Sequence, residues 1–332
     1  MHPRTIIVPQ PTPLERAERL SAHLGIDLWI KRDDLAGPSL GGNKARQLEY
    51  YFGAALAQGA DTVLITGAIQ SNFVRLTAAV AATLGMRAVV QLEDRVPGKS
   101  DIYRKAGNAL LCGLLGAEIM HYPEGEDEEG ADAALHDRAA ELRAEGATPY
   151  IIHLSEGHPP LGALGYMDCA REILEQDDGF DVFVVASGSG STHSGLLAGL
   201  RGAGSQARVI GGCVRRPAAA QAPRIRRIVS RLAGLSNTAN AVNDEDVVVW
   251  DGALAPGYGR VGPPAADAMK LAAQYCGLIL DPVYTAKSFA ALPALTASGD
   301  IPQGARVCYV HTGGLGAIGA YSDTIRDAMQ VS

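Results

Sequence analysis

The chain has 332 residues, enough for about two domains, and its 47% apolar and 20% charged content lets it bury a core instead of remaining disordered. A net charge of −7 leaves no basic footprint for nucleic acid, and no apolar run reaches the ~20 residues of a membrane span. The N-terminal stretch has no signal-peptide apolar core, so a cytoplasmic protein is expected.

Short β-branched runs alternate with alanine-rich helical stretches. In chain order, strands are expected at 28–31, 62–66, 87–92, 118–121, 149–154, 181–186, 208–213, 246–250, 278–280 and 306–311. Helices are expected between them, as at 45–58, 71–85, 132–145 and 264–276. This alternation predicts an α/β fold with helices on both faces of mostly parallel sheets. Ten strands exceed one comfortable sheet, so two open twisted sheets are expected. The continuously apolar VFVVA and VVVW read as strands covered on both faces. Paired prolines and repeated glycines mark 148–166 as the crossover between the two domains.

Three features read as structural background. The five cysteines are scattered with no CxxC pair, and the eight histidines show no HExxH or HxH spacing, so no metal site is expected. The acidic run 124–129 suits the start of a helix. The cluster of Arg224, Arg226 and Arg227 reads as a solvated face.

Five segments carry candidate chemistry. In Ser187-Gly188-Ser189-Gly190-Ser191-Thr192, small residues follow an apolar strand and open a helix. Backbone amides, hydroxyls and the helix dipole suit a phosphate there. The spacing matches neither a dinucleotide fingerprint nor a Walker loop, and a plain strand-to-helix turn is the competing reading. Gly41-Gly42-Asn43-Lys44 places a lysine at a helix start, where burial and the dipole would lower its pKa toward an imine-forming amine. An ordinary surface lysine is the alternative. Gln70-Ser71-Asn72 is a polar helix N-terminus suited to a substrate carboxylate, or simply a cap. Asp281-Pro-Val-Tyr284-Thr285 and His311-Thr312-Gly313-Gly314 stand at the ends of two expected strands, where α/β sheets bind ligands. A phosphate cradle plus an accessible lysine, without a nucleotide motif, points to pyridoxal phosphate. Among the six lysines, Lys287 is the lesser rival of Lys44.

Together these segments resemble the family of D-cysteine desulfhydrases and 1-aminocyclopropane-1-carboxylate (ACC) deaminases. These are pyridoxal-phosphate enzymes of the tryptophan-synthase β-like fold (fold type II). The likeness runs through PTPLERAERLSAHLG, IKRDD, GGNKARQLEY, GAIQSN, GNALLCGLLGA, HPPLGALGY, SGSGST, APGYG, DPVYTAKS and HTGG, and so covers almost the whole chain. It implies Lys44 as the Schiff-base lysine that also moves the Cα proton, and Asn72 as the partner of the cofactor's phenolic oxygen. It implies Gly188, Ser189, Gly190, Ser191 and Thr192 as the phosphate loop. It further implies Gln70, Ser71 and Asn72, with Phe73 beside them, as the substrate-carboxylate site, and Tyr258 and Tyr284 as active-site tyrosines. A large domain of 1–47 and 151–332 with a small inserted domain of 48–150 follows from the same resemblance, as does a homodimer.

Thr285 and Thr312 stand where ACC deaminases carry Glu and Leu, and match the desulfhydrases. A threonine beside the pyridine nitrogen makes a weaker electron sink than a carboxylate. Loss of a good β leaving group tolerates that; opening a cyclopropane does not. The resemblance therefore implies α,β-elimination from a small amino acid, foremost D-cysteine, giving pyruvate, ammonia and sulfide. ACC deamination, elimination from L-cysteate or β-chloroalanine, and racemisation stay open, because Phe73 replaces a histidine common after QSN. Gln47 replaces a common lysine, removing a cation near the cofactor. The reading from another class is a non-catalytic amino-acid- or phosphate-binding protein on the same scaffold. The intact Lys44, Asn72 and SGSGST speak against it.

Overall fold

Alternating apolar runs and helices become two sheets in the computed structural model, which describes residues 2–125, 127–153, 157–236 and 241–329. The strands are β1 (Leu14–Arg16), β2 (Asp27–Lys31), β3 (Thr62–Ala68), β4 (Arg87–Glu93), β5 (Glu118–Tyr122), β6 (Pro149–Ile152), β7 (Val182–Ser187), β8 (Arg208–Cys213), β9 (Val248–Trp250) and β10 (Arg306–Val310). One sheet has the order β1-β2-β10-β7-β8-β9, the other β5-β4-β3-β6. Only the β1–β2 pair is antiparallel. The chain starts in the first sheet, supplies all of the second with β3 to β6, and returns. The central strands β3 and β7 are buried along their whole length, as parallel strands covered on both faces must be. No helix among the described residues is long and apolar enough to cross a membrane.

Two expectations need correction, and one strand carries no sequence signal. Residues 278–280 form no strand; they follow the helix Pro263–Cys276, with Leu278 N bonded back to the Ala272 carbonyl, Leu278 and Leu280 buried and Ile279 exposed. An apolar triplet leading into a buried turn looks like a strand by composition alone. Conversely, β1 has one apolar residue in LER and gives no periodic signal, because an edge strand pairs on one side only. The apolar β9 is also an edge strand, and half-buried. Leu154, at the end of the strand expected at 149–154, lies outside the described residues, as do 155 and 156 of the crossover.

The helix Lys44–Ala57 begins with the candidate lysine, and a buried ion network holds its first turn. Arg46 donates from Nε and Nη2 to both oxygens of Asp33 at 2.9 Å, and from Nη1 to Glu172 Oε2 at 2.8 Å. Lys31 Nζ meets the other oxygen of Glu172 at 2.5 Å, and the Tyr166 hydroxyl donates to Asp33 at 2.6 Å. Burial alone would raise the Asp33 pKa, but the Arg46 guanidinium and the Tyr166 hydroxyl hold it below the usual carboxylate range. Gly165 lets the helix Leu161–Gln176, which carries Tyr166 and Glu172, approach this turn: a Cβ there would stand 2.1 Å from the Arg46 carbonyl oxygen. Removing one partner of such a network strands a buried charge. Arg46→Met should therefore lower unfolding stability by about 3 kcal/mol or more, read from the denaturant midpoint at pH 7; a loss under about 1 kcal/mol would contradict this role for the network.

Candidate active site

The carboxyl ends of strands from both sheets open onto one cavity, where open α/β folds place ligands. The first sheet contributes the segments after β7, β8 and β10, with Gly188–Gly190, Arg215, Thr312 and Gly313. The second contributes the end of β3 and Glu93 at the end of β4. Lys44, Ser71, Asn72 and Phe73 complete the lining between them. Residues far apart in sequence thus meet because the two sheets present the same kind of edge to one space.

Lys44 is half-buried as a residue, but protein surrounds its amine. No carboxylate pairs with it among the described residues. Its partners are the Gln47 side-chain oxygen at 3.5 Å and the face of Phe73, 5.0 Å from the ring centre. Burial pushes its pKa down to about 8. Lys287 is also lowered to about 8 by burial, yet its amine is spent on the carbonyl oxygens of Leu254 and Gly257 at 2.9 and 2.6 Å and does not line the cavity. Lys31 is locked in the ion network. Geometry therefore singles out Lys44.

The glycine loop after β7 has the build of an anion cradle. Its carbonyls are turned outward: Gln221 donates to that of Gly188 at 3.0 Å, and Arg224 Nε to that of Ser189 at 2.7 Å. The helix Ser191–Gly202 begins with no side-chain cap, leaving its first N–H groups free for a ligand. Gly190 has φ +107°, and a Cβ on it would lie 2.5 Å from Ile228, so only glycine fits. The Thr192 hydroxyl accepts from Asn43 Nδ2 and Gln47 Nε2, both at 2.8 Å. A hydroxyl with both acceptor positions filled has its proton left to donate. Gln47, standing where relatives have a lysine, thus bridges Lys44 and the loop. Ser191 lines a crevice adjoining the main cavity.

The other expected site residues divide. Ser71 lines the cavity and also caps the helix Asn72–Thr83, accepting from Val74 N at 3.3 Å, so both readings of it hold structurally. Tyr258 and Tyr284 line the cavity with hydroxyls 2.5 Å apart, and burial raises both pKa values, keeping them neutral. Thr312 lines the cavity. Gln70 and Thr285 do not. The Gln70 amide donates to the carbonyls of Tyr103 and Ala106 and accepts from Asn108 N. Thr285 is fully buried, its hydroxyl bonded within its own turn to Asp281. Helix-terminus and strand-end position alone cannot tell which way a side chain turns.

Several lining residues escaped the sequence reading. Arg95 follows β4, is paired with Glu93 at 2.7 Å, and sits beside both tyrosines; its place after a parallel strand was the available signal. Arg224 is buried against the glycine loop, correcting the solvated reading of its cluster. In the acidic run, Asp127 caps the helix Glu128–Ala144 as expected, but Glu128 lines the cavity and pairs with Arg215 at 3.1 Å; Glu126 lies outside the described residues. Asp132, His153 and His158 bring ligand atoms within 4.8 Å of one another, a grouping no HxH spacing could reveal.

The matches with known proteins agree with this geometry. Residues 7–313 match the family described as pyridoxal-phosphate dependent enzyme. The chain belongs to that family. It is 40% identical over 328 residues to a D-cysteine desulfhydrase of Serratia proteamaculans (strain 568), covering 96% of each chain. It is 41% identical over 323 residues to a D-cysteine desulfhydrase of Salmonella typhi, again over 96% of each. The crystal structure of an ACC deaminase homologue superposes with a TM-score of 0.88 at 33% identity, over 98% of this chain and 96% of that one. An O-ureido-L-serine synthase shares the fold, with a TM-score of 0.69 at 18% identity.

The residues present fit pyridoxal phosphate: an anion cradle with free amides and an unpaired amine open onto the same cavity. The buried amine also has a stability signature in the apoprotein. Lys44 falls from an ordinary value of 10.5 to about 8, so between those pH values the unfolded chain binds more protons and stability rises with pH. Below pH 8 the penalty is fully present. Lys44→Met should stabilise the apoprotein at pH 7 by on the order of 2 kcal/mol, allowing for the residue's partial exposure, and the gain should fade between pH 8 and 10.5. Paired denaturant titrations across this range check it; a gain independent of pH would contradict the low amine pKa.

Proposed function

We propose that this enzyme is a carbon–sulfur lyase acting on D-cysteine, releasing sulfide, ammonia and pyruvate by α,β-elimination. The observation that carries this is the unpaired Lys44 amine facing the same cavity as the glycine loop, in a chain 40% identical over nearly its full length to a D-cysteine desulfhydrase. Pyridoxal phosphate supplies an imine-forming aldehyde and a conjugated ring that takes up charge at Cα. The loop Gly188–Thr192 binds its phosphate, with Arg224 behind it. Lys44 is the amine that would hold its aldehyde carbon, and when free that amine, tuned toward neutral pH by burial, would take the Cα proton. Ser71 and the start of the helix Asn72–Thr83 hold the substrate carboxylate. Asn72, which lines the cavity, would stand beside the phenolic oxygen.

Tyr258 and Tyr284 spend one hydroxyl proton on each other and keep one to donate to the departing sulfur. Phe73 forms an apolar wall beside the amine and excludes water. Thr312 offers a hydroxyl at the cavity where ACC deaminases carry leucine, and Thr285, which stands in place of their glutamate, brings no carboxylate; both match the desulfhydrases. Thr285 takes part only through its turn with Asp281.

In the same reading, 48–150 is a small domain inserted in the large one, since the single stretch from β3 to β6 supplies the second sheet, although β6 runs two residues past that boundary. The protein is cytoplasmic and homodimeric. The exposed leucines Leu110, Leu114 and Leu315 support an interface, which sedimentation velocity checks.

The purified holoenzyme should release pyruvate and sulfide in equal amounts from D-cysteine. Lys44→Ala should reduce that rate about 10³-fold or more. Turnover of ACC without sulfide from either cysteine enantiomer would overturn the assignment. Release of sulfite from L-cysteate with no reaction of D-cysteine would keep the chemistry and change the substrate.

A further inference from the structure

Behind Asn72 lies a buried chain of polar groups that elimination chemistry leaves unexplained. Arg75 is fully buried, with no carboxylate partner among the described residues. Its Nη1 and Nη2 donate to the carbonyls of Ser39 and Gly41, and its Nε donates to Asn108 Oδ1 at 3.2 Å. Asn108, also buried, donates from Nδ2 to Asn72 Oδ1 at 2.8 Å and to the Gln70 carbonyl at 3.0 Å.

Burial lowers the Arg75 pKa to about 10, leaving it a cation at neutral pH. A guanidinium can only donate, and a backbone carbonyl can only accept. These two neighbours independently dictate which end of the Asn108 amide faces which way. Asn108 must turn its oxygen to Arg75 and its NH₂ to Gln70 and Asn72. Asn72 must then present its oxygen to Asn108, and the end left for the cavity is its NH₂.

We infer that Arg75 and Asn108 are positioning residues: they polarise a hydrogen-bond relay that forces Asn72 to offer a donor, never an acceptor, to the cofactor's phenolic oxygen. The inference rests on the proposed placement of Asn72 at that oxygen. A donor there stabilises the phenolate form of the bound cofactor, whereas an acceptor would favour the neutral phenol. The same arginine grips the carbonyls of Ser39 and Gly41. That stretch, in which Ser39 and Leu40 have φ of 46° and 66°, leads into Gly42-Asn43-Lys44. One buried cation therefore sets both the polarity of Asn72 and the course of the loop that delivers the lysine.

Asn108→Asp tests the relay, because a carboxylate accepts from Arg75 and also from Asn72, and so turns the Asn72 oxygen into the cavity. Asn108→Ala removes the constraint without reversing it. In the purified holoenzyme, Asn108→Asp should lower the visible band of the cofactor relative to its near-ultraviolet band at pH 7. It should also weaken cofactor retention about tenfold, the effect of one mispaired buried polar group. Asn108→Ala should change both less.

Equal effects of the two variants would overturn the relay. So would silence of both while Asn72→Ala shifts the band. Silence of Asn72→Ala itself would instead refute the placement of Asn72 at the phenolic oxygen, and the relay with it. Should Asn108→Asp not fold, Arg75→Lys and Arg75→Gln decide. Lysine keeps a donor-only neighbour and should keep the band; glutamine can present either end of its amide and should lower it. Identical bands for these two would overturn the relay.

Discussion

The Arg46–Asp33 pair and its extension to Glu172 and Lys31 determine where the Lys44 amine can be. Arg46 stands two residues after Lys44, on the same first helical turn, and its guanidinium is saturated by two carboxylates from different elements. The turn can neither unwind nor slide without stranding buried charge. The network also binds the nearby acidic groups Asp33 and Glu172 to other cations. Lys44 thus faces the cavity with a ring and an amide beside it but no counterion, and burial acts on it unopposed. A stable ion cluster and a buried lysine with no counterion are two results of one arrangement.

The two sheets divide the remaining work. Strands of the first end at the glycine loop 188–192 and at the threonine segment; strands of the second end at Ser71, Asn72 and the Glu93–Arg95 pair. Neither sheet alone encloses a site. Thr192 joins the halves of the cofactor-facing surface by accepting from Asn43 and Gln47 on the lysine side. Arg75 joins them from the other direction by reaching from the helix Asn72–Thr83 to the loop before Lys44.

Much of this was legible in the sequence, for physical reasons. Parallel strands buried on both faces must be continuously apolar, so β3, β4, β7, β8 and β10 announce themselves. A run of small residues such as SGSGST between an apolar strand and a helix marks where backbone amides can approach an anion. What stayed hidden depends on direction rather than composition. The strand-like run 278–280 lacks a neighbour to pair with, and the polar β1 has one. Gln70 and Thr285 sit at the right ends of their elements yet turn into the protein. Arg224 looks like part of a solvated cluster until the helix Ala218–Ser236 is seen to lean on the phosphate loop. Contacts between elements decide these cases, and no local pattern encodes them.

The central claim is that Lys44, and not the equally shifted Lys287, carries the cofactor. Reduction of the holoenzyme with borohydride followed by peptide mapping reads this directly. A single pyridoxyl adduct on Lys44, at a stoichiometry near one per chain, is the predicted result. An adduct on Lys287, or one spread over surface lysines, would contradict it.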